Sequence, residues 1–313
     1  MTTLQKLICS LPFSLRKHRL ITTCIKIFPF WVQSKIKFND FAYIFGDLRD
    51  AEARQTFRTQ GFEEELFSMV DALLPDNGTV FDVGANFGCC SFGIYSRRKD
   101  SNIQFHLFEP NPVVISCLEK AKLLQENKAG QFQLHKGCVT DQPGTSNLSF
   151  DLNHTGGGYI NRNEEGEIQN IVLDELVEDL KITNVDFCKM DIEGSEPFAL
   201  VGAKQTLDQG IIQAIYTEIS TENLCRQGHS VNSPIQLLKD SNYSLYWCRN
   251  QELNTISRPK IHIASRGHRF ILAPFDKFPD DYQTDLLAIH RNASIYKEIQ
   301  AHGLKNQDIY IEL

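Results

Sequence analysis

The stretch DVGANFG, residues 82–88, places an acid and two glycines where a buried apolar run gives way to a helix-like segment. Glycines at such a junction let a ligand lie against the backbone. A dinucleotide site would need G-x-G-x-x-G, but Asn86 occupies the middle glycine position, and the carboxylate of Asp82 would repel a pyrophosphate. A ligand with an ammonium and a sulfonium fits better. We therefore predict that Asp82, Gly84, Asn86 and Gly88 bind S-adenosylmethionine.

Glu109 ends the next strand-like run, IQFHLFEP, and follows Gly88 by 21 residues. An acid at about this spacing accepts hydrogen bonds from the two hydroxyls of a ribose. The alternative is that Glu109 is a surface acid near the helix that starts at Pro112. Asp141 follows the third strand-like run and is a candidate for binding the adenine amino group, although a turn aspartate ahead of Pro143 would show the same pattern.

Three acids crowd the end of a fourth strand-like run in KMDIEGSE, residues 189–196. Asp191 and Glu193 alternate, so on an extended backbone they share a face. Paired carboxylates at a strand end can raise one pKa to make a general base or can hold a divalent ion. We predict that Asp191 and Glu193 act on a methyl acceptor, with Lys189 as an ion-pair partner. The alternative is that Glu193 and Glu196 only begin a helix, where acids are favoured.

Two further residues could reach the acceptor. His154 stands in a glycine-rich stretch and is a candidate base, although a single loop histidine is more often solvated. Glu218 ends another strand-like run, IQAIYTEIS, at a carboxyl strand end. The cysteines and histidines show no spacing typical of a metal site, so we predict none.

Short apolar runs alternate with helix-like runs from about residue 61 onwards, broken by a polar, glycine-rich stretch at 140–167 that is a long loop or hairpin. This alternation predicts an α/β fold with a mostly parallel sheet covered by helices on both faces. Ligands of a doubly wound sheet bind at the carboxyl ends of its strands. The glycine turn, Glu109 and the acids of 189–196 all fall at such ends.

The composition limits the class of protein. A chain of 313 residues can hold one large α/β domain, and a net charge of −7 argues against a general nucleic-acid binder. The nine cysteines are scattered without C-x-x-C pairs, which indicates free thiols in a reducing cytoplasm.

The first segment differs sharply in charge from the rest. Residues 1–39 carry seven Lys or Arg and no acid, so their charge is +7 and that of the remainder is −14. No apolar run approaches the length of a membrane span. This basic extension, residues 1–40, has two interpretations: it packs on the domain as a helix, or it makes a weak contact with an anionic membrane surface.

The motifs VFDVGANFG, FEP, LDEL, KMDIEGSE and LVGA, in this order, resemble the FkbM family of S-adenosylmethionine-dependent methyltransferases. The resemblance covers roughly residues 41–291, which leaves 1–40 as an extension and 292–313 as a C-terminal tail. It implies a class I methyltransferase fold, a Rossmann-like, doubly wound and mostly parallel seven-stranded sheet. It also implies that the glycine loop lies under the methionine part of the cofactor and that Glu109 binds the ribose.

We therefore expect a cytoplasmic O-methyltransferase, peripheral to the membrane if the extension binds lipid. The resemblance implies an acceptor such as a glycan, a sugar or a small hydroxylated metabolite, and the net charge of −7 argues against nucleic acid as a partner. Two alternatives stay open. One is a nicotinamide-dependent oxidoreductase on a similar fold, which Asp82 and Asn86 disfavour; the other is a non-catalytic binder of a membrane glycolipid that retains the cofactor pocket.

Overall fold

The computed structural model describes residues 15–39, 42–161, 166–303 and 307–313. In chain order its strands are β1 (Gln33–Phe38), β2 (Ala42–Asp47), β3 (Thr79–Val83), β4 (Gln104–Glu109), β5 (Phe132–Lys136), β6 (Cys138–Val139), β7 (Thr145–Asp151), β8 (His154–Asn161), β9 (Ile168–Ile171), β10 (Phe187–Met190), β11 (Ala214–Ser220), β12 (Tyr243–Trp247), β13 (Ile261–Ser265), β14 (His268–Pro274), β15 (Gln283–His290) and β16 (Ile309–Glu312).

The α-helices surround these strands. In chain order they are α1 (Leu15–Ile27), α2 (Ala51–Thr59), α3 (Glu64–Leu73), α4 (Cys89–Arg97), α5 (Pro112–Leu123), α6 (Leu173–Asp179), α7 (Glu196–Gly202), α8 (Lys204–Asp208), α9 (Thr221–Arg226), α10 (Asn232–Asp240), α11 (Asn250–Leu253) and α12 (Ser294–His302).

The main sheet has the strand order β16-β13-β14-β12-β15-β11-β10-β3-β4-β5. From β5 to β11 neighbouring strands are parallel, and β15 runs antiparallel between β11 and β12. The direction in which successive strands are added reverses between β3 and β10, as in doubly wound sheets. The predicted class I methyltransferase fold is therefore confirmed. Strands β14, β13 and β16 extend its seven strands to ten.

Helices on both faces bury the parallel strands, which explains why these strands read as unbroken apolar runs. One hydrophobic core contains Phe67 of α3 and Phe92 of α4. The other contains Leu200 of α7 and Leu238 of α10. The two layers leave the carboxyl ends of β3, β4, β10 and β11 together at one edge of the sheet.

The polar, glycine-rich stretch after β6 forms a hairpin in which β7 pairs antiparallel with β8. With β6 and β9 this hairpin makes a second sheet of four strands. Gly156 of the hairpin approaches the edge of the main sheet, because a Cβ there would lie 2.9 Å from Asn86 Nδ2.

Residues 1–14 of the predicted basic extension lie outside the described residues. From α1 onwards, Ile21 and Trp31 join the buried core, whereas Ile27 and Phe30 are exposed. The predicted boundary after residue 40 falls between β1 and β2, which pair with each other.

At the other end of the chain, α12 and β16 occupy most of the segment expected as a tail, and β16 pairs with β13. In the described part of the chain, no helix combines the length and the apolar character that crossing a membrane requires.

Candidate active site

The glycine turn between β3 and α4 has a conformation that favours glycine. Gly84 has φ +76° and Gly88 has φ +78°. A Cβ atom on Gly84 would lie 1.9 Å from the carbonyl oxygen of Asp191. The backbone N–H groups of Gly84 and Ala85 donate to the carbonyl oxygen of Phe108, at 3.1 and 3.0 Å. The turn is therefore held between the ends of β10 and β4.

Lys189, on β10, connects this turn to the acids beyond the strand. Its Nζ donates to the carbonyl oxygen of Gly84 at 3.0 Å and lies 3.2 Å from Asp191 Oδ2. Burial disfavours the ammonium, but the charges of Asp191 and Asp82 outweigh burial and hold the pKa of Lys189 well above its usual range. The charged lysine therefore fixes the position of Gly84 relative to Asp191.

Asp82 lies beneath the turn. Its side chain is fully buried and accepts hydrogen bonds from the backbone N–H of Ser91 at 3.2 Å and from Ser91 Oγ at 2.6 Å. Burial raises the pKa of Asp82, and the charge of Lys189 opposes that shift. Asp82 lies beneath the turn and outside the lining of the groove in front of it, and its predicted contact with a ligand stays a prediction.

Glu109, at the end of β4, is buried and uses both of its oxygens. The backbone N–H groups of Asn86 and Asn111 each donate to one carboxylate oxygen at 2.9 Å. Burial outweighs these hydrogen bonds and raises the pKa of Glu109 to about 7. Because a carboxylate oxygen can accept two hydrogen bonds, each oxygen retains capacity for one from a ligand.

One groove is lined by the glycine turn, by Glu109 and by acids at the end of β10. The lining residues are Gly84, Asn86, Phe108, Glu109, Pro110, Asn111, Gly137, Cys138, Val139, Leu148, Thr155, Gly156, Gly158, Ile160, Asp191, Ile192 and Glu193. Two buried atoms of this lining, Asn86 Oδ1 and Asn111 Nδ2, have no hydrogen-bond partner among the described residues. Unpaired buried polar atoms are costly, so the groove suits a ligand with a matching donor and acceptor.

Asp191, Glu193 and Glu218 form an acid cluster in which one carboxylate oxygen from each residue lies within 4.8 Å of the others. Asn223 Nδ2 donates to Glu193 Oε2 at 2.7 Å, and Gln283 Nε2 donates to Glu218 Oε1 at 2.6 Å. Burial and the charge of Asp191 raise the pKa of Glu193 to about 7 and that of Glu218 to about 9. Carboxylates this close can share a proton or hold a divalent cation.

Besides Asp82, three of the predicted site residues lie outside the groove lining. Gly88 is the N-cap of α4. Asp141 follows β6 and accepts a hydrogen bond from Thr140 Oγ1 at 3.0 Å. His154 begins β8 with an exposed side chain, and its Nε2 lies 3.7 Å from Glu52 Oε1. The ligand contacts predicted for Gly88, Asp141 and His154 stay predictions.

The sequence left open the alternative that Glu193 and Glu196 only begin a helix, and Glu196 has that position. It is the first residue of α7, and its Oε1 accepts hydrogen bonds from the backbone N–H groups of Ile192 at 3.0 Å and Gly194 at 3.4 Å. Burial raises the pKa of Glu196 to about 7. Glu193 precedes the helix with φ +57°, so the structure separates the two acids.

Two residues at the groove were not expected from the sequence. Asn111 precedes Pro112, and its Oδ1 accepts a hydrogen bond from the N–H of Val113 at 3.0 Å, an N-cap that the Asn-Pro pair signals. Glu52, in the first turn of α2, accepts a hydrogen bond from Asn86 Nδ2 at 2.8 Å. No local pattern marks Glu52, because this contact joins residues far apart in the chain.

A family model described as the methyltransferase FkbM domain matches residues 82–245. Among solved structures, an FkbM methyltransferase from Methylobacillus flagellatus KT is 17% identical, with a TM-score of 0.42 over 71% of this chain and 47% of that one. The chain thus spans about half the length of that protein.

Two other solved structures match a larger share of their own length. A precorrin-6y C5,15-methyltransferase from Geobacter metallireducens GS-15 is 13% identical, with a TM-score of 0.37 over 73% of this chain and 88% of that one. A TehB-like SAM-dependent methyltransferase from Corynebacterium glutamicum is 9% identical, with a TM-score of 0.40 over 76% of this chain and 94% of that one. No curated protein sequence matches the chain significantly.

Replacing Lys189 by methionine should lower the free energy of unfolding by about 3 kcal/mol or more, because it leaves Asp82 buried without its opposite charge. Lys204→Met is the matched control: it removes an exposed lysine paired with Asp208 and should cost less than about 1 kcal/mol. Urea unfolding of the protein without ligands measures both. Equal losses in the two variants would contradict the role given to Lys189.

Proposed function

The chain belongs to the FkbM methyltransferase family, and from this premise we propose that it transfers a methyl group from S-adenosylmethionine to a hydroxyl oxygen of a small-molecule or glycan acceptor. The observation that carries the proposal is a single groove lined both by Glu109 and by Asp191 and Glu193. Such a groove combines acceptors for nucleoside hydroxyls with carboxylates suited to a cationic tail. Membership of a methyltransferase family sets the nicotinamide alternative aside.

The groove residues fit the proposed cofactor in three respects. Glu109 can accept hydrogen bonds from two ribose hydroxyls while it keeps its backbone partners. The unpaired Asn86 Oδ1 can accept and Asn111 Nδ2 can donate. Gly84 lets a ligand approach the backbone, since no side chain stands on the turn there. When bound, the cofactor supplies an electrophilic methyl group on a sulfonium.

The acid cluster would take the proton of the acceptor hydroxyl. A hydroxyl is a weak nucleophile until a base accepts its proton. Three carboxylates within 4.8 Å of one another repel each other, which favours a proton held within the cluster and makes it suited to accept and release one. Glu193 is the member proposed to contact the acceptor, because it lines the groove and Asn223 orients it. Lys189 holds Asp191 beside it.

The affinity for S-adenosylhomocysteine should rise about tenfold from pH 6 to pH 8, because the Glu109 carboxyl loses its proton near pH 7 and only the carboxylate offers both acceptors. Glu109→Gln should bind more weakly at pH 8 and vary little with pH. Isothermal titration calorimetry at several pH values measures this.

Glu196→Gln is the matched control, since Glu196 is a buried acid whose pKa is also about 7 but which does not line the groove. This variant should keep the pH dependence of the unsubstituted protein. If the affinity of Glu109→Gln followed that of the unsubstituted protein at every pH, the ribose assignment would be wrong.

Glu193→Gln should reduce methyl transfer by about 100-fold or more, because it removes a proton acceptor, and should leave S-adenosylhomocysteine affinity within about threefold. Transfer of labelled methyl from S-adenosylmethionine into a cell extract is the assay. Glu222→Gln, at an exposed acid of α9, is the control and should transfer at the normal rate. Normal transfer by Glu193→Gln would exclude it as the base.

We also propose that the basic N-terminal segment contacts an anionic membrane surface. Ile27 and Phe30 are 61% and 72% exposed, and the ring of Phe28 lies 5.7 Å from that of Phe30. Lys26 is exposed beside them, and residues 1–39 contain no acid. Exposed apolar groups bordered by cations suit the headgroup region of an anionic bilayer.

The double variant Ile27→Ser, Phe30→Ser should bind vesicles of phosphatidylglycerol and phosphatidylcholine about tenfold more weakly. It removes two apolar side chains whose transfer from water into the bilayer would stabilise the bound state. Leu180→Ser, at an exposed leucine after α6, should bind as the unsubstituted protein does. Vesicle co-sedimentation measures the difference. Undiminished binding by the double variant would show that this patch does not face the lipid.

A further inference from the structure

A second cavity, of about 670 Å³, opens between α3, the end of β12 and strands β13, β14 and β16. It forms because β14 pairs with β12 only at Tyr246 with Pro274 and at Trp247 with Ala273, and packs along α3 elsewhere. The cavity shares no lining residue with the cofactor groove. Its volume is in the range of cavities that hold drug-sized ligands.

One end of this cavity is polar and centred on Tyr216 and Arg249. The Tyr216 hydroxyl donates to Asp285 Oδ2 at 2.8 Å, and Arg249 Nη1 donates to the Tyr216 oxygen at 3.0 Å. Arg249 also lies 3.4 Å from a carboxylate oxygen of Glu63, 3.4 Å from one of Asp285 and 3.9 Å from one of Glu65. Three carboxyl groups thus surround one guanidinium.

The polar end adjoins the acid cluster of the cofactor groove. Asp285 of β15 lies directly opposite Glu218 of β11 in the sheet register. Glu218 in turn places a carboxylate oxygen within 4.8 Å of one from Asp191. Tyr216 and Glu218 are two residues apart on β11, so their side chains share a face. Asp191 and Glu193 of the cluster line the groove, whereas Tyr216 lines the cavity and donates to Asp285, which lies opposite Glu218.

The rest of the cavity has apolar walls, with polar side chains among the lining at Ser68, His262, Arg269, Tyr310 and Glu312. Leu66 and Met69 of α3 contribute one wall, and Ile263, Phe270 and Ile311 contribute the wall from the added strands. All five apolar side chains are buried. The apolar walls favour an alkyl chain or an apolar ring.

We propose that this cavity binds the apolar part of the methyl acceptor, and that the acceptor is a hydroxylated amphiphile without an anionic group. The proposal rests on the methyltransferase function proposed above. The apolar part lies between α3 and the added strands, with the hydroxyl toward the acid cluster of Asp191, Glu193 and Glu218. A phosphorylated, nucleotide-linked or carboxylated acceptor is disfavoured at the polar end, because Arg249 there is already surrounded by the carboxyl groups of Glu63, Glu65 and Asp285.

The test measures binding of three probes by calorimetry: octyl β-D-glucoside below its micellar concentration, glucose and octyl phosphate. Octyl glucoside should bind at least tenfold more tightly than either other probe. Ser68→Trp, which places a ring at a half-buried lining position of α3, should weaken octyl glucoside at least tenfold. Ser230→Trp, at an exposed serine outside both lining sets, is the matched control and should bind normally.

Ala264→Trp introduces the same ring from the added strands and serves as a second variant if Ser68→Trp does not fold. Equal affinity for octyl phosphate and octyl glucoside, or unchanged binding by a folded cavity variant, would overturn the proposal. S-adenosylhomocysteine affinity, measured in the same variants, should stay unchanged. Failure to bind S-adenosylhomocysteine at all would instead count against the proposed function, whatever the octyl glucoside result.

Discussion

A buried ammonium, that of Lys189, is the interaction on which the geometry of the groove depends. A charge in this position needs partners of opposite sign, and it has the carboxylates of Asp191 and Asp82 and the carbonyl oxygen of Gly84. β3 and β10 are paired in the sheet, and beyond their ends Lys189 links Gly84 to Asp191, where no Cβ on Gly84 would fit. The floor of the groove therefore depends on the charged side chain of Lys189 and on the absence of a side chain at Gly84.

Beyond that lysine, carboxyl groups line the edge of the sheet from Glu52 through Asp191, Glu193 and Glu218 to Asp285. Burial, together with repulsion between neighbouring acids, raises the pKa of Glu193, Glu218 and Asp285. Such an edge attracts cations, retains protons and repels anions. One electrostatic field therefore suits both a sulfonium cofactor and an acceptor without an anionic group.

Much of the fold follows from local patterns in the chain. The apolar runs TVFDV and IQFHLFEP become buried parallel strands because helices cover both of their faces. The glycines of 82–88 and Glu109 could be assigned to one edge, because each strand-to-helix connection in a doubly wound sheet lies there. The extension of the sheet by β14, β13 and β16 could not be predicted, because the residues of a strand do not determine which other strand it pairs with.

The sequence by itself determined the backbone of the glycine turn, the order of strands and helices, and the presence of acids at strand ends, because each depends on a few neighbouring residues. Only the tertiary structure decided which of these side chains share a cavity. Asp82, near the end of β3, lies two residues from Gly84 yet beneath the turn, because its buried carboxylate accepts hydrogen bonds from Ser91 of α4, a contact that no local pattern predicts. Glu218 and Asp285, far apart in the chain, come together because the packing of the whole sheet sets the register between β11 and β15.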